Sequence, residues 1–330
     1  MRVAVVGLGY WGPNIVRNFI SNPEIKSVTA CDLNVTRLEN IKSKFPKIQT
    51  EKDFDKVLKN VDIVAITTPV DSHFNLAKVA ISAGKHVWVE KPFTSTSEQA
   101  KELIALAEEK NVRIFVDHTF IYTGAVRKVK ELIEAGELGE IIYFDSVRIN
   151  LGLFQHDVNV IWDLAPHDLS IMFYLLNKKP VAVSANGIAN YYDHENIAHL
   201  SVYFENNCFA HFHVNWTSPV KIRRMLVGGK QKMLVFDDME NSEKIKVYDS
   251  SIEMKNEESI YEALVQYRIG DMYSPKVNQT EALSLGVKEF LTAIKENRNP
   301  LTNGNNGLDV VKILEAADMS IKNKGKLIEL

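Results

Sequence analysis

The sequence predicts a two-domain α/β protein: an N-terminal doubly wound parallel sheet, then an α+β domain with a large, mainly antiparallel sheet. Three observations carry this prediction. Up to about Asp117, short apolar runs without two-residue alternation are separated by amphipathic stretches of helical length, the pattern of parallel strands covered on both faces. A Gly-x-Gly-x-x-Gly spacing follows the first of these runs directly. Beyond His118 the runs lengthen and alternate apolar with polar residues, as half-buried strands do. A length of 330 residues, at ~150 per domain, agrees with a division into residues 1–118 and 119–330.

In the first half the strands are expected at Arg2–Val6, Lys26–Cys31, Asp62–Ile66, His86–Val89 and Val112–Val116, with helices starting near Pro13, Asn34, Asp71 and Ser97. The apolar stretch from Val3 reads as a buried strand rather than a secretory leader, because glycines at functional spacing and Pro13-Asn14 interrupt it. In the second half a helix from Thr123 to Glu134 should end on Gly136 in a left-handed cap. Strands are expected at Ile141–Asn150, Val181–Ile188, His199–Phe204, Cys208–Asn215, Lys221–Val227 and Lys232–Phe236, with Glu205-Asn206-Asn207 and Gly228-Gly229 as turns. Further helices should cover Leu164–Leu176, Gln279–Lys295 and Leu308–Lys322; the stretch from Glu240 to Val277 is polar and weakly periodic.

Composition excludes several classes of function. Lys and Arg number 39 against 42 Asp and Glu, a net charge of −3, and are spread along the chain, so the basic footprint of a nucleic-acid binder is missing. No apolar run reaches the ~18 to 20 residues of a membrane helix. Cys31 and Cys208 lie far apart, which supports neither a disulfide framework nor a cysteine zinc site and makes a reducing cytoplasm the default. His211 and His213 share one face of a strand, but no third ligand stands at readable spacing, so no metal is expected.

The glycine motif supplies a nucleotide site. Gly7 would make the tight turn, Gly9 would let backbone approach a pyrophosphate, and Gly12 would let helix and strand pack closely, with Tyr10 and Trp11 between them. Asp32 ends the second strand, twenty positions beyond Gly12. It would accept the adenosine ribose hydroxyls and favour NAD over NADP, although it could instead cap the following helix, and Arg37 keeps NADP open. Thr67-Thr68-Pro69 and Glu90-Lys91-Pro92 end later strands and should line the same cleft, because ligands of such sheets sit beyond the strand C-termini.

Those residues, with Thr68-Pro69-Val70-Asp71-Ser72-His73, Ala83-Gly84-Lys85-His86-Val87-Trp88-Val89-Glu90-Lys91-Pro92 and Asp163-Leu164-Ala165-Pro166-His167, resemble the glucose-fructose oxidoreductase and inositol dehydrogenase (Gfo/Idh/MocA) family over essentially the whole chain. The resemblance implies NAD(P)-dependent oxidation or reduction of a sugar or polyol carbon. It also implies cofactor contacts by His73, Glu90 and Lys91, and dimers or tetramers through the second sheet. His118-Thr119-Phe120-Ile121-Tyr122, Asn150-Leu151-Gly152-Leu153-Phe154-Gln155-His156 and Trp162-Asp163 resemble a nucleotide-sugar branch, whose members act at the 3-position of UDP-N-acetylglucosamine or its uronate. The family more often carries D-x-G-x-H where this chain has Asp163-Leu164-Ala165-Pro166-His167.

Oxidising a secondary alcohol requires a hydride acceptor and a base near the departing hydroxyl proton. In the setting of that resemblance Lys91, Asp163 and His167 are the catalytic candidates: His167 as general base, Asp163 as its orienter, Lys91 as electrostatic partner or proton relay. Asp163 and His167 stand four apart and share a helix face. Pro166 suggests that this helix is only beginning there, with His167 near its N-terminus. Candidate substrate contacts are His118, Tyr122, Arg148, Asn150, Gln155, His156 and Trp162, with Tyr122 and Trp162 equally credible as core; Arg223 and Arg224 could join Arg148 on a diphosphate or carboxylate. Two other readings stand beside the dehydrogenase: an NAD-retaining glycosidase or lyase of this fold, and a non-catalytic dinucleotide sensor.

Overall fold

The computed structural model describes residues 1–152, 154, 158–191, 193–254 and 265–330. These form two compact units, Met1–Tyr122 with Thr280–Lys312, and Thr123–Gln279 with Ile313–Leu330. The expected division after residue 118 lies near the end of the first segment. The return of residues 280–312 to the first unit is a finding that the local pattern of the sequence did not carry.

The first unit opens β1 (Arg2–Val6), α1 (Gly12–Ile20), β2 (Ser27–Cys31), α2 (Val35–Lys44), β3 (Gln49–Glu51), α3 (Phe54–Leu58), β4 (Ile63–Ile66), α4 (Val70–Ser82), β5 (His86–Val89), α5 (Ser97–Glu109) and β6 (Ile114–Val116). All pairings are parallel, in the order β3-β2-β1-β4-β5-β6. β4 is wholly apolar and buried, and β1 is so from Val3 onward, as helices on both faces require. Trp88 stacks on Phe115 with ring centroids 3.9 Å apart, and Phe290, from the returning helix Ala282–Lys295, closes on both rings. Val116 donates its amide to the Thr302 carbonyl at 2.8 Å, so the returning segment also covers the edge of β6.

The second unit contains α6 (Gly124–Glu134), β7 (Ile141–Leu151), α7 (Val160–Leu176), β8 (Pro180–Ile188), β9 (Ile197–Phe204), β10 (Phe209–Asn215), β11 (Thr217–Gly229), β12 (Met233–Asp237), β13 (Ile245–Met254) and β14 (Val265–Tyr273). The helix Ala282–Lys295 is α8; α9 (Gly304–Lys322) and the short β15 (Ile328–Glu329) end the chain. The sheet runs β14-β13-β12-β11-β7-β10-β9-β8-β15, antiparallel except for the β7–β10 pair. α7 packs across β7, β9 and β10. Gly136 takes φ +75°, ending α6 as expected.

Two local expectations are corrected. Gly228 and Gly229 belong to β11 rather than a turn; glycine is needed because a Cβ on Gly228 would stand 1.9 Å from the Tyr143 ring, and one on Gly229 would stand 2.1 Å from the Leu138 carbonyl oxygen. α7 begins at Val160, not near Leu164: Asn159 Oδ1 accepts the amides of Ile161 and Trp162, each at 3.1 Å. Pro166 therefore lies inside the helix, where its missing N–H leaves the Trp162 carbonyl without the usual intrahelical donor.

Candidate functional site

The glycine loop is built by three different constraints. At Gly7 the chain turns with φ +92°, and its amide donates to the Cys31 carbonyl at 2.8 Å. At Gly12 a Cβ would stand 2.2 Å from the Gly7 carbonyl oxygen, so loop and helix touch backbone to backbone. At Gly9 a Cβ would meet nothing within 4 Å, which leaves open space beside the backbone. The cap residue Trp11 makes no side-chain bond to the first turn of α1, and the exposed Tyr10 and Trp11 rings meet edge to face at 5.6 Å.

Asp32 is buried and holds this loop. Its Oδ2 accepts the Leu8 amide at 2.7 Å, and its Oδ1 accepts the Asn34 amide at 2.8 Å. Asn34, not Asp32, caps α2, through Thr36 and Arg37. The Arg37 guanidinium approaches Asp32 to 3.5 Å. A dinucleotide fits these residues: open backbone at Gly9 for a pyrophosphate, and a buried acceptor at the end of β2 for a ribose.

The ends of β4, β5 and β6 converge on a second cluster. Thr67 Oγ1 donates to the Gly7 carbonyl at 2.5 Å, tying β4 to the glycine loop, and Thr68 Oγ1 pairs with Ser72 Oγ at 2.6 Å. The His73 ring lies 2.8 Å from the Thr68 carbonyl and 3.0 Å from the Pro92 carbonyl, and so clamps Thr67-Thr68-Pro69 to Glu90-Lys91-Pro92. Burial pushes this imidazole down despite the two carbonyls, so it is neutral and donates to one of them. His118 is buried with neither ring nitrogen partnered, and burial, then the Lys91 charge, push it down to about 3. The Tyr122 hydroxyl meets Thr302 Oγ1 at 3.0 Å in the core. Asp117 and Thr119, which the sequence reading passed over, belong to this cluster: the Thr119 hydroxyl donates to Asp117. Their signal was positional, because Asp117 follows β6 as Glu90 follows β5.

In the second unit Asp163 and His167 lie one turn apart on α7. Asp163 Oδ2 accepts the Trp216 indole N–H at 3.0 Å. The earlier start of α7 puts His167 about two turns in, so its chemistry does not draw on the helix N-terminus. The buried Arg148 guanidinium engages Asp168, Nε to Oδ1 at 3.0 Å, while Ser146 Oγ donates to the same carboxylate at 2.7 Å. Asp168 and Trp216 are further residues that sequence reasoning assigned no role. Arg223 faces Arg148 across the β11–β7 register and lies 3.5 Å from Asp238, and Arg224 pairs with Asp237 at 2.7 Å. Trp162 turns its indole to Asp318 at 2.8 Å, and Asn150, next to last in β7, has its side-chain nitrogen beside Gly152. Gln155 and His156 lie outside the described residues. Among the described residues no group of three His, Cys, Asp or Glu side chains is arranged to hold a metal ion, and no helix is long and apolar enough to cross a membrane.

Profiles of two domains match the chain: the oxidoreductase family with NAD-binding Rossmann fold over residues 1–118, and the GFO/IDH/MocA C-terminal domain over residues 126–235. The chain belongs to the Gfo/Idh/MocA oxidoreductase family. Among curated Gfo/Idh/MocA members it is 29% identical over 245 residues to UDP-N-acetylglucosamine 3-dehydrogenase of Acidithiobacillus ferrooxidans, covering 73% of this chain and 75% of that one. It is also 29% identical over 195 residues to scyllo-inositol 2-dehydrogenase (NAD(+)) of Bacillus subtilis, covering 57% of each. A solved structure of UDP-N-acetylglucosamine 3-dehydrogenase GnnA from Acidithiobacillus ferrooxidans superposes with a TM-score of 0.79 at 25% identity, covering 98% of both chains. The protein is thus an NAD-binding oxidoreductase of the Gfo/Idh/MocA family, with a parallel Rossmann sheet and a large mixed C-terminal sheet.

Proposed function

We propose that this oxidoreductase is a cytoplasmic dehydrogenase that transfers hydride between NAD and a secondary alcohol of a nucleotide sugar, UDP-N-acetylglucosamine or its uronate at the 3-position. The observation that carries this reading is the likeness to UDP-N-acetylglucosamine 3-dehydrogenase through both domains at once. The likeness to an inositol dehydrogenase covers a smaller share of the chain. A bound nicotinamide supplies the hydride acceptor, and the protein supplies the proton chemistry and the positioning.

His167 takes the hydroxyl proton as general base. Asp163, fixed by the Trp216 indole and one helical turn from His167, orients it. Lys91 holds the reacting oxygen through its ammonium and relays the proton. His118, with two unpartnered ring nitrogens, hydrogen-bonds substrate or cofactor. Gly7, Gly9, Gly12 and Asp32, with Tyr10 and Trp11 at the rim, hold the dinucleotide, and Thr67, Thr68, Pro69, His73 and Glu90 shape the floor beneath it. The Arg148–Asp168 pair and Trp162 support this site from within the second unit rather than by direct contact with substrate.

The test is absorbance of purified protein with NAD, and separately NADP, against a panel of UDP-sugars and simple polyols. Growth of the reduced-nicotinamide band with UDP-N-acetylglucosamine or its uronate is the expected result. Growth with inositols alone replaces the substrate class. Absence of net reduction with every compound, while NAD binds, replaces the dehydrogenase with the NAD-retaining lyase.

A further inference from the structure

Glu90 and Asp117 are two acids to which the reaction above assigns no proton chemistry. They follow β5 and β6, which pair with Val89 opposite Val116, and the Asp117 amide donates to the Val89 carbonyl at 2.8 Å. Register therefore sets the two residues side by side at the C-terminal edge of the sheet. Asp117 is buried and Glu90 partly so. Their carboxyl groups are in hydrogen-bond contact with one another. Other donors already serve this pair: the Lys91 amide donates to Glu90 Oε2 at 3.1 Å, and the Thr119 hydroxyl donates to Asp117 Oδ1. Two carboxylates cannot hydrogen-bond each other, because both only accept; one of the two must carry a proton.

We infer that Glu90 and Asp117 hold a single proton between them, and that this carboxyl pair is a positioning device for the Lys91 ammonium. The inference rests on the assignment of Lys91 to the reaction. With one proton shared, the pair bears one negative charge, enough to anchor one ammonium. A second negative charge would draw Lys91 toward the pair and away from the reacting oxygen. Burial and the neighbouring acid push Glu90 well above the usual carboxylate range, and burial also pushes Asp117 up, while the Lys91 charge pulls both back. His73 and His118 also feel the Lys91 charge, and burial pushes both imidazoles down. Lys91 is the cation whose charge lowers both acids of the pair.

Infrared titration of the purified protein without substrate tests this directly. In the wild-type protein the carbonyl band of a protonated carboxyl group should persist above pH 7, and it should vanish at that pH in both Glu90→Gln and Asp117→Asn. In Lys91→Ala, which changes neither acid, the midpoint of the band should rise by about one pH unit or more, the size of an opposite charge withdrawn from a carboxylate. No band above pH 7 in the wild-type protein, or a band unchanged in both acid variants, overturns the shared proton; an unmoved midpoint in Lys91→Ala overturns the link to Lys91. None of these readings needs turnover, so they stand or fall separately from the sugar-dehydrogenase assignment. If turnover is established, each acid variant should also shift the pH profile of kcat.

Discussion

At the scale of single residues, Lys91, His118 and Asp32 each yield a measurable consequence. Replacing Lys91 by Ala removes the ammonium proposed to hold the reacting oxygen, and kcat should fall by about 10²- to 10⁴-fold, the usual range for a positioned proton-transfer group. Stopped-flow absorbance of reduced nicotinamide measures it. Asp32→Ala removes the acceptor of the Leu8 amide and leaves Arg37, now 3.5 Å from that carboxylate, without its neighbour. The kcat/KM ratio of NAD to NADP should drop about 10- to 100-fold, the scale of a hydrogen bond to a charged group. His118 and His86 are pushed down from 6.5 to about 3 and about 4, burial being the main cause in both. The unfolded chain therefore binds protons below pH 6.5 that the folded chain refuses, so stability is fullest above that pH and is lost as pH falls toward 4, by about 1.4 kcal/mol per pH unit for each residue. Urea midpoints at pH 7 and pH 5 check this; His118→Gln should flatten the dependence. The individual site residues were legible where a motif carries them, as at Gly7, Asp32 and Lys91. Asp117 and Asp168 were not, because their partners Glu90 and Arg148 reach them only through strand register or helix packing.

At the scale of elements, backbone contacts decide where substitution is tolerated. Gly228→Ala would drive a methyl into the Tyr143 ring across the β11–β7 pair. It should destabilise the protein by about 1–3 kcal/mol, as overpacking does, read as a lowered thermal midpoint. The same pair shows why the glycines misled: Gly228-Gly229 has the composition of a turn, and only the ring packed over the strand reveals the other reason for glycine. β3 and α3, with three and five residues, are too short to impose periodicity, and the sequence reading passed over both. The long elements were legible because apolar runs and caps agree. The start of α7 was not, since Pro166 reads as a first-turn residue and only the two amide bonds to Asn159 show that the helix begins a turn earlier.

At the scale of the whole molecule, the sheet of the second unit has α7 on one face, while its other face carries half-buried Leu226 and Val235 opposite each other, the exposed Tyr203, and the stacked rings of His199 and His213, 4.3 Å apart. We propose that a second copy of the chain covers this face. Light scattering at micromolar concentration should give a dimer or tetramer, and Leu226→Asp a monomer; a monomeric wild-type protein contradicts the proposal. The chain's own route has a different consequence. The nucleotide unit takes its aromatic closure and the cover of its last strand from residues 280–312. It is therefore not a cassette. A gene cut after codon 118 would yield a half-domain with Trp88 and Phe115 stripped of Phe290, so shuffling between relatives must exchange two separated stretches together, and the ribosome must pass residue 312 before the first-made half can close.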